Sequence, residues 1–309
     1  MICVHICPDD PKFIHPFRAF VQEHLTASRH EFLFLKQGLI KATTTLYTAD
    51  KIILHGLMSR KLILFLALQP WLLHKCYWVI WGADLYNCSV LPAIKKFVIS
   101  RLKHLITCIE GDVNLAREWY GAKGRWHDSF IYPSNMFKPF PHVQHDDAIW
   151  IQAGNSADPG NHHDDIFEII KPFKNENIKI ICPLTYGDKT YAQEVAAWGH
   201  DLFGDKFIPL TEFLSAEAYA QYQARIHIAI FAHKRQQAMG NIVGLLGNGR
   251  KVYMRAGTTH RAMFEKLGVR IYDMNDFNLE NEIENQNTNI IQNHFSRARL
   301  KQQLQEILE

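Results

Sequence analysis

One stretch, residues 226–254, limits this chain to a narrow set of folds. It opens on an apolar run in which Ile226, Ile228 and Ile230 alternate, as in a buried strand. A polar loop with Lys234, Arg235, Gln236 and Gln237 follows. A short helical segment runs from Met239 to Leu246 and closes at Gly247 and Gly249, and a second strand-like run, 251–254, comes next. Strand, loop, helix, strand is the βαβ unit of a parallel sheet. Such sheets bind ligands beyond the carboxyl ends of their strands. Gly240 and Asn241 open the helix, where free backbone N–H groups and the helix dipole favour an anion. Arg235 stands just before that end, and its planar fork suits phosphate oxygens. Taken alone, the stretch fits a phosphate-bearing ligand and a solvated basic turn equally well.

The rest of the chain repeats the alternation. Strand-like runs at 1–7, 31–35, 51–54, 76–81, 104–109 and 130–132 are separated by helical patterns at 12–25, 59–69, 92–103 and 111–120. Residues 133–147 lack a period and hold Pro133, Pro139 and Pro141, which reads as a linker. Beyond it, strand-like runs at 148–152, 178–182, 207–208 and 269–272 alternate with helices at 164–174, 189–199, 215–223 and 261–267. A polar tail, 279–309, is helical in its second half. The reading is α/β, with two Rossmann-like domains, 1–140 and 141–309, and a cleft between them. A length of 309 residues at 47% hydrophobic suits that size.

Composition excludes several alternatives. A net charge of +3 gives no reason to expect nucleic acid. The six Cys, at 3, 7, 76, 88, 108 and 182, form no C-x-x-C and no zinc spacing, which with the lack of a signal peptide suggests a reducing cytoplasm. The most apolar run, 62–68, is too short for a membrane span and is followed by Pro70. Asp9-Asp10, Asp146-Asp147 and His162-His163-Asp164-Asp165 do not suggest a metal site, since none forms a D-x-D pair at a strand end. The helix at 92–103 has an apolar stripe (Ile94, Phe97, Val98, Leu102) among Lys95, Lys96, Arg101 and Lys103. It fits either a core-facing helix or one lying on an anionic membrane.

Four polar clusters fall at strand ends. Gly154-Asn155-Ser156, with Asp158 and Asn161, follows the first strand of the second half, where a glycine lets backbone approach a diphosphate. Tyr186-Gly187-Asp188 follows the next, and the Arg235 loop is the third. In the first half, W-G-A-D-L-Y (81–86) places Asp84 just past a buried strand, where a carboxylate serves as general base or as a turn residue. His55 ends the strand before it.

Together these residues carry a resemblance. H-G at 55–56, W-G-A-D-L-Y at 81–86, G-N-S-x-D-x-x-N at 154–161 and F-A-x-x-R-Q-Q-x-x-G-N at 231–241 occur in this order. The chain resembles the TDP-N-acetylfucosamine:lipid II N-acetylfucosaminyltransferases of enterobacterial common antigen synthesis. The resemblance implies a GT-B glycosyltransferase of cell-envelope polysaccharide synthesis that needs no metal or other cofactor. It implies a dTDP-sugar donor, a lipid-linked or other glycan acceptor, and a cytoplasmic location peripheral to the inner membrane. Asp84 would be catalytic, with His55, Trp81 and Tyr86 on the acceptor side. Gly154, Asn155, Ser156, Tyr186, Arg235, Gln236, Gln237, Gly240 and Asn241 would hold the donor. His233 and Lys234 depart from the family pattern. Two other classes share such an architecture: a nucleotide-sugar 2-epimerase, and a binding protein without catalysis.

Overall fold

The computed structural model describes residues 1–8, 10–37 and 43–309. Its chain divides into two compact units, Met1–Met136 with Phe295–Glu309, and Phe137–His294. Each is built on one six-stranded, wholly parallel sheet.

The first sheet holds β1 (Ile2–Cys7), β2 (Arg29–Phe34), β3 (Lys51–His55), β4 (Cys76–Val79), β5 (His104–Ile106) and β6 (Arg125–His127), in the order β2-β1-β3-β4-β5-β6. This is the flavodoxin-like order with one strand added, and its connections reverse direction between β1 and β3. The second sheet holds β7 (Ile149–Ala153), β8 (Ile178–Pro183), β9 (Phe207–Leu210), β10 (Ile228–Phe231), β11 (Lys251–Met254) and β12 (Tyr272–Asp273). Its order, β12-β11-β10-β7-β8-β9, is that of a Rossmann fold, with its switch point between β7 and β10. The central strands are buried on both faces, as parallel strands under helices must be. That explains why their sequences run apolar rather than alternating.

Three expectations are corrected. Residues 130–132 are not a strand: Ile131 sits at φ 46, outside the extended region, and Phe130 instead packs on Phe295. The edge strand is β6, whose polar sequence Arg-Trp-His gives little apolar signal. The end of the tail belongs with the first unit rather than the second. Its last helix, Arg297–Leu308, buries Leu300, Leu304, Ile307 and Leu308, while Lys51 Nζ donates to the Ile307 carbonyl at 2.7 Å and Cys3 Sγ to that of Leu308 at 3.2 Å.

The helix Pro92–Ile99 turns Val98, Ile99 and also Lys95 into the core, while Phe97 of the stripe stays exposed with Arg101 over its ring. Lys95 Nζ donates to the carbonyls of Asp84 and Asn87, so it is a structural cation and not part of a solvated face. All six cysteines are free, and only Cys88 is exposed. No helix among the described residues is long and apolar enough to cross a membrane.

Candidate functional site

The switch point of the second sheet brings three of the four polar clusters together. Strands β7 and β10 are neighbours, with Ala153 opposite Ile230, so the loops after them emerge side by side. The loop after β8 joins them through a bridge between Ala157 and Gly187. Gly154 takes φ 65, and a Cβ there would lie 2.7 Å from Asn161 Oδ1 and 2.9 Å from His163 Nε2. No other residue fits that turn.

Asn161 Oδ1 ties the turn together. It accepts from the Asn155 N–H at 2.8 Å and lies 3.0 Å from His233 Nε2, while Asn161 Nδ2 donates to Ser156 Oγ at 3.0 Å. His233 Nε2 also lies 3.0 Å from Asn155 Oδ1. Two amide oxygens on one ring nitrogen require that nitrogen to carry the proton. His233 Nδ1 is therefore a bare acceptor, and it is buried without a partner. Near it lie His260, with neither ring nitrogen partnered, and His163, with Nε2 unpartnered. Burial, with smaller contributions from His260 and Arg235, keeps His233 neutral well below the ordinary histidine range. His260 is pushed down to about 3, first by burial and then by Arg235.

The loop over these rings carries Arg235, whose guanidinium reaches Asp158 Oδ2 at 3.1 Å. Gln236 and Gln237 each leave a buried, unpartnered Oε1. The helix Met239–Gly247 that follows has Ala238 as its N-cap, in the left-handed region at φ 59 and without a side-chain cap. Ala supplies no oxygen, so the first N–H groups, Gly240 among them, lack the usual Ser, Thr or Asp acceptor. Asn241 is placed differently from expectation. Its Oδ1 accepts from Tyr219 OH and Gln223 Nε2, both at 2.8 Å, so it anchors a neighbouring helix. Tyr186 is 48% exposed, and its hydroxyl accepts from Asn155 Nδ2 at 2.8 Å.

In the first unit the cluster at 81–86 is real, but its carboxylate faces inward. Asp84 has no exposed surface. It accepts from Trp78 Nε1 at 2.6 Å, the Leu57 N–H at 2.8 Å and the Trp81 N–H at 2.9 Å. Burial raises its pKa, against the pull of those three bonds and Lys95. A carboxylate so enclosed ties β3 and β4 to the turn after them and is not placed to take a proton from an acceptor. Tyr86 packs edge-on to Trp119, 5.4 Å between centroids, and its hydroxyl donates to Asp112 Oδ1 at 3.4 Å, both on the helix Glu110–Tyr120. His55 is buried, while Trp81 is partly exposed and donates to Tyr132 OH at 2.8 Å. Tyr132 escaped sequence reasoning because it closes the segment 130–132, which reads as a strand. His163 was legible only as part of the 162–165 run weighed for a metal, and His260, in the first turn of the helix Thr259–Lys266, has no motif around it.

Asp9 lies outside the described residues. His162, Asp164 and Asp165 bring three possible ligand atoms within 4.8 Å, but Arg255 already pairs with Asp165. Asp146 is bound by Lys179 and Trp150.

Solved structures share the whole fold. Anabaena HepE in complex with UDP superposes with a TM-score of 0.70 at 12% identity, covering 99% of both chains. A glycosyltransferase from Rickettsia africae gives 0.63 at 11%, over 99% of this chain and 97% of that one. WaaG, a glycosyltransferase involved in lipopolysaccharide biosynthesis, gives 0.60 at 9%, over 99% and 94%. At these identities the likeness concerns the GT-B fold. The family model for 4-alpha-L-fucosyltransferase, glycosyl transferase group 56, matches residues 19–294, nearly the whole chain, and this protein belongs to that glycosyltransferase family.

Proposed function

We propose that this glycosyltransferase takes a dTDP-linked deoxyamino sugar, N-acetylfucosamine in the first instance, and transfers it to a lipid-linked or other cell-surface glycan acceptor. The observation that carries the donor assignment is the unmet polar surface at the β7/β10 switch point. His233 Nδ1, both nitrogens of His260 and the Gln236 and Gln237 oxygens are buried without partners beside an uncapped helix end. Each such group costs roughly 1–3 kcal/mol unless something binds it. A nucleotide-sugar offers hydroxyls and amide N–H groups to the bare acceptors and a diphosphate to Arg235 and the helix N–H groups. HepE is a relative in fold whose structure holds UDP, which supports a nucleoside diphosphate as the class of ligand.

The leaving diphosphate gains negative charge as the glycosidic bond to it breaks. Arg235 and the helix end stabilise that charge, and no metal is needed for the purpose. Arg235→Ala is expected to weaken nucleoside diphosphate binding by roughly 10- to 100-fold, the worth of one or two charge-assisted hydrogen bonds. Calorimetry with dTDP, UDP and GDP checks this and ranks the bases, and unchanged affinity would remove Arg235 from the site. Incubation with a nucleotide-sugar alone separates the other classes. Epimer formation means an epimerase, and binding without turnover even with acceptor means a scaffold.

A lipid-linked acceptor brings the enzyme to the cytoplasmic face of the inner membrane. The surface suited to that is the helix Arg60–Leu68 and the turn Pro70–Lys75, rather than the helix at 92–103. Leu64, Leu68 and Trp71 are 42%, 77% and 52% exposed. Arg60 and Lys61 are exposed beside them, and no acidic residue occurs between Asp50 and Asp84. Leu68→Asp/Trp71→Asp should abolish co-sedimentation with anionic vesicles while leaving dTDP binding intact. Undiminished sedimentation of the double variant would place the contact elsewhere.

A further inference from the structure

The first unit contains a row of buried hydrogen-bonding rings that crosses its own switch point. His30 lies on β2, His5 on β1, and His55 ends β3. The register sets Cys3 beside His30 and Ile6 beside Leu54, so the row advances two residues from strand to strand. Successive side chains on a strand alternate faces, so all three rings leave the same face of the sheet. His30 Nδ1 is 3.0 Å from His5 Nε2. His5 Nδ1 is 3.2 Å from His55 Nε2, and His55 Nδ1 is 2.6 Å from Tyr132 OH. Trp81 Nε1 completes the row at 2.8 Å from the same hydroxyl. Phe17 closes over it, with ring centroids 5.4 Å from His5, 5.0 Å from His55 and 5.7 Å from Tyr132.

One end of the row is chemically unambiguous. An indole N–H only donates, so the Tyr132 oxygen accepts from Trp81. The single tyrosine proton then has His55 Nδ1 as its remaining partner in the row. His55 must carry its own proton on Nε2 and give it to His5 Nδ1. His5 does the same for His30. The far end, His30 Nε2, is buried without a partner, and burial lowers the pKa of the ring and keeps it neutral, against the smaller pull of the Glu309 carboxylate. A neutral imidazole offers one donor and one acceptor, so His5 and His55 are saturated and neither ring can flip alone.

We propose that His30, His5, His55 and Tyr132 form one proton-ordered hydrogen-bond wire that fixes the Trp81 side chain at the end of the first sheet. His5 and His30, which lie one and two rings beyond His55, are positioning residues acting through it. Trp81 is a partly exposed member of the acceptor-side cluster, so the wire holds an aromatic face at the position where an acceptor would bind. That last clause rests on the glycosyltransferase reading, and the wire does not.

The test uses the full-length protein labelled with ¹⁵N at histidine, without substrate. Wild-type His5, His30 and His55 are each expected in a single tautomer protonated at Nε2. In Tyr132→Phe the head of the wire loses its proton, and His5, which does not touch Tyr132, should shift to a mixture of tautomers. Opposite or mixed tautomers in the wild type, or an unchanged His5 in the variant, would overturn the proposal. Should Tyr132→Phe not fold, His30→Val on the outer strand serves instead. It should speed solvent exchange of the Trp81 indole proton by about tenfold, the worth of one ordinary hydrogen bond. Exchange at the wild-type rate would mean that the rings are packed neighbours only. Neither measurement involves turnover, so a failed transfer assay leaves both results standing.

Discussion

Asp84→Asn is expected to lose stability before it loses chemistry. The carboxylate has three N–H donors pointed at it, from Trp78, Leu57 and Trp81. An amide keeps one oxygen and turns an NH2 group towards donors that have nowhere else to go. Two of the bonds arrive on Oδ2 and one on Oδ1, so either orientation of Asn opposes at least one donor. Losing one charged hydrogen bond and stranding a buried donor costs about 3 kcal/mol. For a unit of this size that corresponds to a thermal midpoint about 6–12 °C lower. A general base predicts the reverse: an unchanged midpoint with turnover gone. Differential scanning calorimetry beside a transfer assay decides between them. A wild-type midpoint in Asp84→Asn would return Asp84 to the chemistry. The same three bonds explain the order of W-G-A-D-L-Y. Asp84 reaches back to the Trp81 N–H across the turn that Gly82 makes at φ 78.

That case shows what the sequence carried. The position of Asp84 at the end of a buried strand was legible, because apolar runs and a following Gly mark such ends. The direction of its side chain was not, since it depends on Leu57 from the preceding strand's loop and Trp78 from within β4. The donor side was more legible. Gly154, Asn155, Ser156 and Arg235 follow strands recognisable by their β-branched runs, and the switch point brings their loops together. Asn241 misled because an Asn at a helix start resembles a ligand contact, whereas its partners are Tyr219 and Gln223. The His30–His5–His55 row had no local signature. Its members are 25 and 50 residues apart and meet only through strand register. The tail was misplaced for a similar reason. Its helical period showed a buried face but not which sheet covers it.

The protein should also be unusually labile to mild acid. Five fully buried histidines, His5 and His55 in the first unit and His163, His233 and His260 in the second, are held neutral chiefly by burial. His55 and His260 are lowered to about 3 and His163 to about 4. In the unfolded chain each binds a proton near pH 6.5. Below that pH the unfolded state holds protons that the folded state does not, so stability falls as pH falls from 6.5 towards the folded values. By pH 5 each such group has withdrawn about 2 kcal/mol, against a total stability of roughly 5–15 kcal/mol for a domain. Guanidinium midpoints measured from pH 7.5 to 5 should therefore drop steeply. A flat profile would mean that these rings reach water or a counter-charge. The second unit has three of the five, and His260→Phe sharpens the test there. Phe removes two buried, unpartnered nitrogens along with one acid-sensitive group, so the variant should be more stable at pH 6 than the wild type. If His260 holds the donor, the same variant binds dTDP more weakly. A chain that keeps an unpaired histidine at a cost in stability then does so for the ligand that pairs with it, as expected at a binding site.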